Sequence, residues 1–151
     1  MKTIDEWFAE YSKDHQHSTN QKIHYVCVPA ILYAVLGILW VLPNFQVAGV
    51  DIHWNYLLIA GACVFYFLLD FKMGLFMLLL TALISRSFLT LDQMGIPVFE
   101  FNLAIFIIAW IGQFYGHKLE GAKPSFLTDL TYLFIGPLWV VKKLLHGKKA
   151  S

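Results

Sequence analysis

A chain of 151 residues has room for a single domain, and this one is 58% hydrophobic and 14% charged, with a mean hydropathy of +0.62. Its charges sit between long apolar runs instead of alternating within them, which excludes an ordinary soluble fold and makes lipid the outer solvent. The net charge of +1 gives no basic footprint for nucleic acid; there is also no Walker or dinucleotide glycine motif.

From the N-terminus, residues 1–22 mix both charge signs and lack the basic start and apolar middle of a cleavable signal peptide. Thr3-Ile4-Asp5-Glu6 has the Thr-x-x-Glu spacing of a capping box, and Ile4, Trp7, Phe8 and Tyr11 follow at helical spacing. This predicts a short amphipathic helix, lying flat on the cytoplasmic surface or docked against the bundle. Four apolar runs then follow at 23–42, 52–69, 73–91 and 97–115. The second holds 18 uncharged residues between Asp51 and Asp70; at ~1.5 Å per residue it rises about 27 Å, enough to span a hydrocarbon core of roughly 30 Å. Pro29 is expected to kink the first span. A fifth run, 130–141, is too short to cross and contains Gly136-Pro137, so it reads as a re-entrant or interfacial segment. Cys27 and Cys63 lie inside apolar runs as small hydrophobes, not as a disulfide or a thiolate metal site. The fold class is therefore an all-α integral membrane domain of four transmembrane helices. An N-terminal amphipathic helix and a short C-terminal segment complete it, with no repeat and no separate soluble domain.

The lysines set the orientation. Lys2, Lys13, Lys22, Lys72, Lys118, Lys123, Lys142, Lys143, Lys148 and Lys149 all fall on one side if 130–141 does not cross, and the alternate connections 43–53 and 92–96 contain no Lys or Arg. The positive-inside rule then places both termini in the cytoplasm, in a bacterial inner membrane or an endoplasmic reticulum. Arg86 is the exception, late in the third span, where mid-bilayer arginine costs roughly 3 kcal/mol. It either snorkels to the outer interface near Asp92, Glu100 or Asp51, or serves as a counter-ion inside the bundle.

This topology sorts the six histidines: His15, His17, His24, His117 and His146 share the cytoplasmic face, and His53 lies opposite. His117 and Glu120 form a His-x-x-Glu pair on one helix face. Two histidines and a carboxylate with open positions suit non-haem Fe(II) and oxygen chemistry, which His15 and His24 can complete, although the same ligand types serve zinc. Asn20 lies between His15 and His24, and Gln113 stands one turn before His117. Such amides suit hydrogen bonds that fix a ligand's tautomer, and equally suit helix caps. His17 and His146 read as solvated bystanders.

Those residues also carry a resemblance. Tyr11-Ser-Lys-Asp-His15-Gln-His-Ser-Thr-Asn20-Gln-Lys-Ile-His24, running on into Val28-Pro29, resembles the Tyr-x3-His-x4-Asn-x3-His signature of the membrane 2-hydroxy fatty acid dioxygenases, known in fungi for turning phytosphingosine into odd-numbered fatty acids. Gln113-Phe-Tyr-Gly-His117-Lys-Leu-Glu120-Gly-Ala-Lys-Pro124 and the segment ending in Gly136-Pro137 resemble its second signature. The resemblance implies Fe(II)-dependent alpha-oxidation of a 2-hydroxy fatty acid by O2, with His15, His24 and His117 as ligands and Glu120 as fourth ligand or base. Lys118 or Lys123 would attract the substrate carboxylate, and the acyl tail would lie among the spans. Di-iron desaturases are set aside because six scattered histidines cannot supply their His boxes. The rival from another class is a non-enzymatic lipid-binding or scaffold protein, which holds no metal.

Overall fold

A computed structural model describes residues 3–13, 15–121 and 135–141. The chain is mostly helical, in the order α1 (Ile4–Lys13), α2 (Ser18–Trp40), β1 (Phe45–Val47), β2 (Val50–Ile52), α3 (Trp54–Leu69), α4 (Phe71–Gln93), α5 (Val98–Glu120) and a short helix, α6, over 135–141. It divides into two compact units, one drawing on the chain up to Leu32 and from Ile107 onward, the other formed by Tyr33–Phe106.

Three helices, Ser18–Trp40, Phe71–Gln93 and Val98–Leu119, are long and apolar enough to cross a membrane. Their outward residues are greasy: Val26 is 70% exposed, Leu83 69% and Ile108 69%. Water would penalise so much contiguous apolar surface, and lipid does not. The expected fourth span is the apolar α3, but at 16 residues it is shorter than the run predicted for it. Its first residues are taken by an antiparallel hairpin that pairs Phe45 with Ile52 and Val47 with Val50. Ala48 and Gly49 both have positive φ, 51° and 78°, as a two-residue type I′ turn requires. Without an Asn-Gly or Asp-Gly pair, and with strands of three residues, the hairpin leaves little trace in the sequence. The expected all-α chain thus carries one small β-element. His53 anchors it to α2, stacking on Trp40 at 3.7 Å while its Nδ1 bonds the Trp40 carbonyl at 2.9 Å.

The other boundaries follow from local chemistry. Both arms of the capping box form, Thr3 N–H donating to Glu6 Oε2 at 2.7 Å and Glu6 N–H to Thr3 Oγ1 at 3.3 Å. Helix α2 starts at Ser18, ahead of the apolar run, because His17 caps it: Thr19 N–H donates to His17 Nδ1 at 3.2 Å. It then continues unbroken through Pro29. Asp70 alone separates α3 from α4, closing the first with its N–H to the Tyr66 carbonyl and opening the second by accepting from Met73 N–H at 2.9 Å. Gly95, with φ of 71°, ends α4 in a Schellman turn, where Ile96 N–H reaches the Leu91 carbonyl and Gly95 N–H that of Asp92.

In the Tyr33–Phe106 unit, polar side chains bind neighbouring helices together. Asn55 Nδ2 donates to Ser85 Oγ at 3.1 Å, and Tyr33 and Ser87 share a hydroxyl bond of 3.0 Å. Asn102 is fully buried, and its side chain lies where a Cβ on Gly37 would stand. Gly37→Ala is therefore expected to cost about 1–3 kcal/mol through overpacking, read as a lower thermal midpoint in detergent. Adding Asn102→Ala should restore part of that loss; a Gly37→Ala protein as stable as its parent would contradict the packing.

Candidate metal centre

The site lies in the unit that joins the chain's two ends. Helix α1 is only ten residues long, and its last carbonyls have no partner within the helix. The chain turns back on itself to satisfy them. Ser12 O accepts from Gln16 Nε2 at 2.6 Å and from His15 N–H at 3.3 Å, and Tyr11 O accepts from the His15 ring at Nδ1, 2.7 Å away. His15, 3% exposed, is thus fixed by the end of the helix before it. Its ring stacks on Tyr11 at 4.2 Å, 7° from parallel. Of the two placements expected for α1, docking is the observed one, since Phe8 and Tyr11 are buried.

His24, 2% exposed, is oriented by the same device, its Nδ1 lying 3.0 Å from the carbonyl of Asn20 one turn earlier. Helix α5 brings His117, and two glycines let it come close. A Cβ on Gly116 would collide with the Asn20 side chain, and one on Gly112 would stand 2.7 Å from Cys27 Sγ. Small residues at such a crossing are what lets helices approach in lipid. The three rings meet steeply, with centroids 4.2 Å apart for His15 and His24, 5.7 Å for His15 and His117 and 5.2 Å for His24 and His117. One nitrogen from each lies within 4.8 Å of the others.

The hydrogen bonds decide what this cluster offers. A carbonyl only accepts, so both Nδ1 atoms carry hydrogen, and in the neutral rings both Nε2 atoms present lone pairs. Those two atoms stand 2.9 Å apart. Bare lone pairs at that distance repel, and either a proton or a cation between them removes the conflict. Two nitrogens bound to a divalent ion ~2.0–2.1 Å from each stand about 2.9–3.3 Å apart, for right-angle and tetrahedral arrangements respectively. The donor set therefore fits a metal, with the backbone carbonyls behind each ring playing the part usually taken by outer-sphere partners.

The remaining predicted residues divide. Asn20 and Gln113 are buried, 0% and 5% exposed, each one turn before a histidine. Asn20 orients His24 through its main-chain oxygen, while its side chain packs at Gly116. Lys118 is exposed on α5. Glu120 closes α5, but its side chain lies outside the described residues, as do Lys123 and His146. Among the described residues no carboxylate joins the three histidines. His17 is exposed and His53 belongs to the other unit.

Sequence reasoning gave no role to Trp139. Its indole donates to Ser12 Oγ at 2.9 Å and its ring lies 5.0 Å from Tyr11, so α6 seals one side of the cluster. Residues 135–140 are all buried. The expected segment 130–141 is thus helical and packed from 135, its earlier part falling outside the described residues. A tryptophan in a short apolar run looks like an interfacial anchor, and nothing in its spacing points to Ser12.

A family model described as 2-hydroxy-palmitic acid dioxygenase Mpo1-like matches residues 1–148, and the chain belongs to that Mpo1-like family. No curated protein and no solved structure matches it. Because Gly116 sets the α2–α5 approach, Gly116→Val is expected to weaken divalent-metal binding by at least about ten-fold, measured by calorimetric titration of solubilised protein with unchanged helical circular dichroism. Unaltered affinity would show that the approach does not build the site.

Proposed function

We propose that this member of the Mpo1-like family is an Fe(II)-dependent dioxygenase that shortens 2-hydroxy fatty acids by one carbon. The observation that carries the reading is the buried pair of Nε2 atoms 2.9 Å apart, each stripped of alternatives by a carbonyl on its other nitrogen, with His117 within reach. His15, His24 and His117 would hold the iron, with Glu120 as a further ligand or as base. Bound Fe(II) supplies the one-electron chemistry that lets O2 react with a closed-shell substrate. The reaction balances without another reductant: RCH(OH)COOH and O2 give RCOOH, CO2 and H2O, the substrate providing every electron.

The protein's own groups have separable tasks. Tyr11 O and Asn20 O hold two imidazoles in the tautomer that leaves Nε2 available. Tyr11 and Trp139 wall the cluster, and His117, only half-buried, marks its open side. Gln113 keeps a buried amide oxygen with no hydrogen-bond partner among the described residues. One turn before His117, it would accept from that ring and so fix its tautomer. Lys118, exposed one residue beyond His117, and Lys123 would draw the substrate carboxylate from the membrane surface, while the acyl chain lies against the apolar helices. In this reading the protein is membrane-embedded with both termini in the cytoplasm, in a bacterial inner membrane or an endoplasmic reticulum.

Purified protein should contain about one iron per chain and consume O2 with 2-hydroxypalmitate, releasing pentadecanoate and CO2 in equal amounts. His15→Ala and His117→Ala should each lower iron affinity by more than about 100-fold, beyond the effect of losing an outer partner, and abolish turnover. A metal-free protein whose stability is unchanged in those variants would favour the lipid-binding or scaffold alternative. Iron held without turnover would leave the metal centre standing and the reaction wrong.

A further inference from the structure

The Tyr33–Phe106 unit contains a groove of about 390 Å³ between α3 and α4, lined by Tyr56, Ile59, Leu78, Ala82, Ser85, Arg86 and Leu89. Arg86 lies seven residues before Gln93, the last residue of α4, or about 10 Å below the helix end. Cα–Cβ bonds in a helix lean toward its N-terminus, so the side chain sets out deeper into the bilayer. A cation in that position needs an anion. Of the carboxylates expected near it, Asp51 accepts from Gln46, and among the described residues no side chain pairs with the Arg86 guanidinium.

The groove is mostly apolar and is lined by three polar side chains, Tyr56, Ser85 and Arg86. Each of the three can donate a hydrogen bond, and none is acidic. Beside the guanidinium stands Ser85, whose oxygen already accepts from Asn55 and whose proton is left to give, and Tyr56 adds a phenol. The rest, formed by Ile59, Leu78, Ala82 and Leu89, is apolar, and no acidic residue lines any part of it. Guanidinium with neighbouring hydroxyls matches a phosphate, and basic clefts between membrane helices hold anionic headgroups.

We propose that this groove is a binding site for an anionic phospholipid, its phosphate on Arg86, Ser85 and Tyr56 and one acyl chain along Leu78 and Ala82. The site is independent of the histidine cluster and of the reaction assigned to it. It neutralises the arginine at depth, where no carboxylate among the described residues pairs with it.

The test is native mass spectrometry of the full-length protein released from phosphatidylcholine nanodiscs doped with phosphatidylglycerol. The parent should retain one phosphatidylglycerol. Arg86→Gln should reduce that retention by at least about ten-fold, and Ala82→Trp, which fills the apolar part and keeps the charge, should reduce it as well. Lys72→Gln, at the opposite end of α4, should retain the lipid like the parent. Retention unchanged in Arg86→Gln or in Ala82→Trp, or retention of free fatty acid in place of phospholipid, would overturn the assignment.

Discussion

The histidine cluster depends on how closely α2 and α5 can approach. A side chain on Gly116 would strike Asn20 and one on Gly112 would strike Cys27, so the two missing Cβ atoms fix both the separation and the register of the crossing. Between these contacts His24 and His117 face each other from different helices, and only then does the turn after α1 deliver His15 to the same point. In lipid no hydrophobic force drives helices together, and close van der Waals contact takes its place. The residues that assemble the site are thus the smallest ones in it, and they carry no chemistry themselves.

Orientation is supplied by the main chain. Helix ends leave carbonyls unpaired, and Tyr11 O is one of these at the end of α1. Asn20 O lies within the first turn of α2 and uses its second lone pair. Because a carbonyl cannot donate, each interaction settles the imidazole tautomer without a second side chain. Deep carboxylates would perform the same task at a desolvation cost that membrane interiors make severe.

Much of this was legible in the residues themselves. The capping box formed where Thr3 and Glu6 predicted it, and sorting lysines across alternate connections made the gathering of His15, His24 and His117 possible without requiring it. What sequence could not supply was mostly geometry carried by atoms that every residue has. The carbonyls of Tyr11 and Asn20 are invisible to side-chain reasoning, so Asn20 was assigned its function through its amide group and acts on His24 through its backbone. Hydropathy found the greasy core of α2 and missed the polar turn at Ser18–Lys22 that extends it, whereas the polar turn at Gly116–Glu120 was expected as helix from the His-x-x-Glu spacing. Those polar turns are the parts that carry or flank the histidines.

Helix α3 would constrain any membrane that it crossed. Its 16 residues rise about 24 Å, some 6 Å less than a typical hydrocarbon core, and Trp54 and Asp70 bracket it closely. A crossing by α3 would require the surrounding lipid to compress, at fractions of a kcal/mol for each ångström of mismatch. Thick, sterol-rich bilayers would then be penalised more than thin ones, so a helix this short would bias the chain's partition among membranes through bilayer elasticity.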